Sequence, residues 1–346
     1  MEYRKLGRTK LKVSVLGIGG GAFSGKDKKL ERVKEVITLC VKNGVNFIDT
    51  AEDYDKRKVG ISIKGFRDKL IISTKSFSST EKDMTKSIKN SLKKLQTDYV
   101  DIYLMQTVDT VESLNFRIKN GVLSALKKAK KEGTIGWIGI SGHRIQAIIE
   151  AIKTNEFDVV EIPYTIAAYE TEKVFEIAKE YDVGIIAMRP FGGGILVDRS
   201  NKNKFMCSKN ILSYVLSNKN ISTAIVGMSL PQHALENIEN AKYSKLSRRE
   251  RMNIEKKVLK FLGKNFCRGC LACMPCDIHG WKLPIDQIMK VYVYYFKYGI
   301  KNSLEEFKSL IPLIKDCFSC KKLCERRCPY NVPIVSILRK LKEISE

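Results

Sequence analysis

Between residues 13 and 240, short runs rich in β-branched residues alternate with longer amphipathic runs, and no other feature constrains the fold of this 346-residue chain as tightly. The spacing predicts strands over 13–17, 46–49, 69–75, 100–105, 136–141, 159–163, 184–188 and 223–227. Helices are predicted between them over 29–42, 81–95, 118–132, 144–153, 170–181, 211–217 and 232–239, with a short lysine-rich one over 58–66. In the first, Val33, Val36, Ile37, Cys40 and Val41 recur at helical spacing. Eight βα units in about 230 residues match an α/β fold, the (β/α)8 TIM barrel, whose chemistry sits at the C-terminal strand ends. A doubly wound open sheet fits less well. Gly17-Ile-Gly19-Gly20-Gly21-Ala does not open a helix as G-x-G-x-x-G with an acidic residue at the expected distance. Residues 1–12 read as a hairpin around Gly7-Arg8-Thr9 that closes the barrel's bottom.

The barrel pattern accounts for residues 1–245; residues 246–346 need another explanation. Eight of the ten cysteines lie there in two runs, Cys267-Arg-Gly-Cys270-Leu-Ala-Cys273-Met-Pro-Cys276 and Cys317-Phe-Ser-Cys320-Lys-Lys-Leu-Cys324-Glu-Arg-Arg-Cys328-Pro329. Disulfides suit small secreted domains short of core, whereas this chain is long and opens Met-Glu-Tyr-Arg-Lys with no apolar signal segment. Zinc is served by two C-x2-C pairs and leaves four cysteines over unless two ions bind. The bacterial ferredoxin run C-x2-C-x2-C-x3-C-P, in two approximate copies, uses all eight. The expected cofactors are therefore [4Fe-4S] clusters in a small, mainly helical, ferredoxin-like domain, with zinc or redox thiols as alternatives. In two-cluster ferredoxins the fourth cysteine of each run serves the other cluster. That predicts Cys267, Cys270 and Cys273 with Cys328, and Cys317, Cys320 and Cys324 with Cys276. Cys273 to Cys276 is one residue short of the pattern and Cys320 to Cys324 one too long, which leaves a single cluster as the alternative. The charged segment 243–257 leads out of the barrel, and two helices over 283–315 would pack around the clusters. Cys40 and Cys207 read as small buried hydrophobes.

The chain holds 62 Lys and Arg against 38 Asp and Glu, a formal net charge of +24. The lysines are spread over helical segments rather than gathered in one stripe with interleaved aromatics, which argues against nucleic acid. They form solvated helix faces and favour an acidic redox protein partner or cofactor phosphates. No stretch has the apolar length of a membrane span, and thiols kept for metal fit a reducing cytoplasm.

Polar residues at the predicted strand ends are Asp49 with Tyr54 beyond it, Lys75, Gln106, Ser141 with His143, Glu161 and Arg189, followed by the loop after Gly227. A phenol with a pKa near 10 becomes a usable proton donor when an adjacent ammonium stabilises its anion, and a carboxylate such as Asp49 would hold that ammonium. Taken alone, a strand-end Lys-Asp pair is more often structural than catalytic. His143 reads either as a pocket residue or as the cap of the helix that follows it.

Phe47-Ile-Asp49-Thr-Ala-Glu-Asp-Tyr54, Ile72-Ser-Thr-Lys75, Asp98-Tyr-Val-Asp-Ile-Tyr-Leu, Ile138-Gly-Ile-Ser141-Gly-His143 and Glu236-Asn237 resemble the aldo-keto reductase family, in order and spacing. The cysteine tail resembles the branch of that family with a ferredoxin-like C-terminal extension. The resemblance implies NADPH- or NADH-dependent reduction of a small-molecule carbonyl, with Tyr54 as general acid, Lys75 lowering its pKa and Asp49 orienting Lys75. Gln106 stands where the family has histidine; an amide donates a hydrogen bond but transfers no proton. For the nucleotide, the resemblance implies Ser141 at the nicotinamide carboxamide, and Glu236 and Asn237 at the adenine. Gly142 and Glu161 replace the family's asparagine and glutamine. Met188 replaces the stacking tyrosine, within a Met188-Arg189-Pro190 run similar to the iron-sulfur branch. Gly227, Met228 and His233 replace residues that often grip a 2'-phosphate. The implied protein is an oxidoreductase. Its alternatives are an electron-transfer protein on a degenerate barrel, or a plain reductase with a structural zinc tail.

Overall fold

The computed structural model describes residues 1–25, 27–198, 200, 203–243 and 245–345. Eight parallel strands close into a barrel: β3 (Leu16–Gly19), β4 (Phe47–Asp49), β5 (Ile71–Ser76), β6 (Val100–Met105), β7 (Ile135–Ser141), β8 (Val159–Pro163), β9 (Gly184–Met188) and β10 (Thr223–Val226). β10 pairs back onto β3. All eight predicted strands are present, with one refinement. The first predicted run divides at Val15, so that β2 (Lys12–Ser14) belongs to the hairpin and β3 to the barrel.

Strand periodicity sorts each side chain to one face. Phe47, Ile102, Leu104, Val159, Ile186 and Ile225 point inward and pack together, while Ile48, Ile72, Tyr103, Ile140 and Val160 join the larger core beneath the helices. The same alternation carries Asp49, two residues after Phe47, and Glu161, two after Val159, to the inner face at the C-terminal end. Gly139 is needed for this filling, since a Cβ there would meet Leu104 Cδ2 at 2.1 Å. β1 (Tyr3–Lys5) pairs antiparallel with β2 and closes the opposite mouth. Leu6 is fully buried against the inner cluster, and the Arg4 guanidinium bonds the carbonyls of Leu216, Asn218 and Ile221.

The helices follow the predicted order. The lysine-rich one runs Lys56–Ile63, slightly earlier than expected, because Asp55 accepts from the Lys58 amide and caps it. The helix predicted over 118–132 is two, Val111–Lys119 and Val122–Lys131, since Gly121 takes φ 80° and turns the chain between them.

After the barrel, Arg248–Leu262 starts with a Ser247/Glu250 capping box and lies on the barrel helices, its Glu255 accepting from Tyr214 Oη at 2.9 Å. The first cysteine run is irregular and leads into Ile285–Phe296, which packs on Ile334–Glu343. The second helix expected within 283–315 is instead a series of short turns, including Glu305–Lys308 and Ile311–Ile314. Pro312, which lacks an amide donor, interrupts the stretch. The apolar core runs unbroken from barrel helices into the tail. Among the described residues no helix is long and apolar enough to cross a membrane.

Candidate active site and cluster-binding tail

A cavity of about 790 Å³ opens at the C-terminal ends of the strands, a size usual for small-molecule and cofactor sites. Asp49, Tyr54, Glu161, Met188, Arg189, Gly227, Glu236 and Asn237, all singled out from sequence, line it. Lys75 lies directly behind, buried, with Nζ 2.6 Å from Asp49 Oδ2 and 2.8 Å from Glu161 Oε1. Tyr54 sits beside this group, its ring centroid 5.9 Å from the ammonium.

Two carboxylates thus face one ammonium, and the balance of charge decides the acidities. Burial alone would lower the Lys75 pKa, but Asp49 and Glu161 outweigh it and hold the ammonium charged. Burial and the neighbouring Glu161 raise Asp49 well above the carboxylate range despite Lys75. Burial pushes the Tyr54 phenol up to about 12; the pull of Lys75 is opposed by Asp49, Glu161 and Asp53. The resemblance implied a lysine that lowers the tyrosine's pKa. Here the lysine pulls in that direction and burial prevails.

Gln106 and Ser141 are buried and do not line the cavity. Gln106 Nε2 donates to Asp53 Oδ1 at 3.1 Å, while its Oε1 is buried without a partner. The Ser141 hydroxyl accepts from the Thr107 amide at 3.3 Å. His143 lines the cavity, with Nδ1 3.2 Å from Asp109 Oδ2. The next helix begins at Ile145 with no side-chain cap, so the pocket position, not a capping role, describes His143. Asp109, Asp53 and Arg144 were not marked by the sequence, because each acts through a partner distant in the chain.

At the other end of the cavity Asn237 Oδ1 is buried without a partner, and its amide nitrogen donates to His233 O at 2.7 Å. Glu236 beside it accepts from the Ser208 hydroxyl. A free buried acceptor next to a carboxylate is the acceptor set that the amino group of a base requires, so these residues fit a nucleotide.

Arg189 lines the cavity and also reaches out of it. It takes φ 56° at the end of β9, and its guanidinium leaves for the tail: Nε donates to Gly269 O, and Nη2 lies 2.6 Å from Asp286 Oδ2. Arg144 does the same from the end of β7, bonding the carbonyls of Ala272 and Met274, each at 3.1 Å. Gly269 and Gly192 meet backbone to backbone; a Cβ on Gly269 would lie 2.2 Å from Gly192 O. These contacts seat the first cysteine run on the barrel mouth, where Leu271 becomes part of the cavity wall.

The eight tail cysteines gather as two quartets. Cys267, Cys270, Cys273 and Cys328 line one hollow, and Cys276, Cys317, Cys320 and Cys324 another. This is the crossed grouping expected from ferredoxin spacing, in which the last cysteine of each run belongs with the other. Among the described residues no three His, Cys, Asp or Glu side chains converge as on a single ion. Four thiols spread around a hollow suit a cluster, which needs room for its own iron and sulfide. The amides of Gly269 and Lys322 donate to the sulfurs of Cys267 and Cys320 at 3.3 Å, contacts of the kind that tune cluster potentials. Cys40 is buried and Cys207 half-buried, both outside the quartets.

The Aldo/keto reductase family model matches residues 15–211, and the 4Fe-4S dicluster domain model matches residues 266–333. Over 297 residues the chain is 24% identical to the uncharacterized oxidoreductase YqkF of Bacillus subtilis, covering 72% of this chain and 94% of that protein. It is 28% identical over 286 residues to L-galactose dehydrogenase of Arabidopsis thaliana, covering 69% and 87%. In fold it is similar to the holo form of aldo-keto reductase AKR11C1 from Bacillus halodurans, with a TM-score of 0.67 at 24% identity over 74% of this chain and 96% of that one.

Proposed function

Because this chain belongs to the aldo/keto reductase family and ends in a 4Fe-4S dicluster domain, we propose that it reduces a small-molecule carbonyl in the barrel cavity, with a nicotinamide nucleotide and two [4Fe-4S] clusters sharing the electrons. The observation that carries this reading is Leu271: a residue between two cysteines of one quartet lines the same cavity as Tyr54. A reduced nicotinamide supplies hydride, and iron-sulfur clusters exchange single electrons.

The chain's own residues do the rest. Tyr54, protonated throughout neutral pH, donates its phenolic hydrogen to the carbonyl oxygen, and Lys75 offsets the charge as that oxygen takes the proton. Asp49 and Glu161 fix the ammonium in place. Glu236 and Asn237 bind the adenine end of the nucleotide, and Met188 and Gly227 form the wall along its length. No Lys or Arg occupies 227, 228 or 233, so a phosphate clamp does not choose NADPH over NADH there. The cysteines ligate as the two quartets.

The test is an anaerobic titration of the purified protein with NADPH and then NADH, followed in the visible spectrum, with dithionite as reference. Bleaching of the cluster band by either nucleotide is the expected result. A band bleached by dithionite alone sinks the shared-electron reading.

A second reading, an electron-transfer protein on a barrel without catalysis, is favoured by the high Tyr54 pKa and by the Gln106 amide being tied to Asp53. Unchanged activity in Tyr54→Phe selects it.

A further inference from the structure

The two quartets have different surroundings. Arg268, Asp286, Met289, Tyr330 and Ile334 wall the first, all of them buried, and Leu271 joins it to the barrel cavity. The second opens to the surface: Ile278, Ser319, Lys321 and Lys322 line it, and all four are exposed. Trp281, close by in the chain, is 55% exposed, and Ile278 is 50% exposed.

Charge separates them further. Arg268 is a buried cation beside the inner quartet, stacked 4.1 Å from the Phe266 ring and 4.2 Å from that of Tyr330. Its positive charge is met on the same wall by the Asp286 carboxylate, which is paired with Arg189, so the inner quartet has a buried, balanced charge environment. At the outer quartet, residues 315–328 hold five Lys and Arg against two acids. One of these, Glu325, is turned inward and accepts from the Val335 amide at 2.8 Å. Asp277, on the same rim, is paired with Arg327 at 2.7 Å. Lys321, Lys322 and Arg326 enter no ion pair among the described residues.

We propose that the outer quartet is the electron entry port and that its rim, Ile278, Lys321 and Lys322 with Trp281 and Arg326 beside it, is the docking surface for a small acidic one-electron carrier protein. This rests on the two-cluster reading above. Exposed Ile278 beside the unpaired cations Lys321 and Lys322 on one rim, with exposed Trp281 three residues further along the chain, matches a carrier whose own cofactor edge is ringed by carboxylates. Each encounter oxidises the reduced carrier by one electron and reduces the outer cluster by one. The inner quartet, seated by Arg189 and Arg144, then lies between that cluster and the barrel cavity.

The experiment mixes the oxidised holoprotein with a reduced acidic ferredoxin in a stopped-flow instrument and follows cluster bleaching, with reduced methyl viologen, a small cation, as the second reductant. Calorimetry on the oxidised pair reads binding. With ferredoxin the rate is expected to fall steeply as salt rises, and Lys321→Glu/Lys322→Glu to lose roughly 10- to 100-fold in rate and to bind more weakly. Methyl viologen should reduce that variant at least as fast as the unaltered protein. Trp281→Ala, which leaves the charge alone, should weaken binding without changing the salt slope. Undiminished ferredoxin reduction in the double variant, with its spectrum and iron content intact, overturns the port. So does tighter binding of a DNA oligonucleotide than of ferredoxin at the same rim. A wild-type holoprotein with only one cluster signal overturns the underlying two-cluster reading, a result distinct from either.

Discussion

The ammonium of Lys75 is shared by two carboxylates, and that count governs the residues around it. Glu161→Gln removes one of them and leaves a hydrogen-bonding side chain of the same size. With less negative charge nearby, the Tyr54 phenolate is easier to form, so its pKa falls. Because the proton donor is lost above that pKa, the basic limb of a kcat/KM profile should move to lower pH, which a pH series on the two proteins checks. Tyr54→Phe should cost roughly 10²- to 10⁴-fold in kcat for carbonyl reduction. Lys56 makes a separate point. It is buried, bonds Ser91 Oγ at 2.7 Å, and burial pushes its pKa down to about 8 from 10.5. Between those two values the unfolded chain holds a proton that the folded chain lacks, so stability should rise with pH across that window. Lys56→Met should abolish the rise and stabilise the protein at neutral pH by about 1–3 kcal/mol, as measured by denaturant unfolding.

Among the elements, the joint between barrel and tail rests on close backbone contact. Gly269 takes φ 64°, and its backbone lies against Gly192, itself at φ 58°. Gly269→Ala places a methyl group against a carbonyl and strains the backbone, for an expected cost of about 2–4 kcal/mol read as a lowered Tm. The cysteine pattern in sequence foretold a cluster loop but not that its glycine touches the barrel. Arg189 illustrates the same limit. Its place after β9 was evident and the resemblance assigned it to the cofactor, yet its partners, Gly269 and Asp286, lie 80 and 97 residues away in the chain.

At the scale of the whole molecule, one apolar core joins barrel and tail, but the barrel's hydrogen-bond ladder closes on itself while the tail has only short helices around its two hollows. Removing iron should therefore loosen the tail and spare the barrel. Burial pushes the thiols of Cys267 and Cys270 up to about 12 and about 11, so without metal they are half-buried, protonated groups with no cluster to hold the two loops together. Hydrogen exchange on chelator-treated protein should show lost protection across residues 264–345 and retained protection in β3 to β10.

The sequence by itself determined the barrel, the order of its strands, the strand-end positions of Asp49, Lys75 and Glu161, and the cysteine runs with their crossed grouping. Each of these is set by local periodicity or by ligand spacing within a few residues, and a strand's period of two fixes which face a side chain takes. Only the tertiary structure decided that Glu161 binds Lys75, that the Gln106 amide is tied to Asp53, and that the first cysteine run forms a wall of the cavity. Those contacts depend on barrel closure and on how the tail docks. They join residues whose separation in the chain carries no signal of their approach, and burial then sets the balance of charge among the groups brought together.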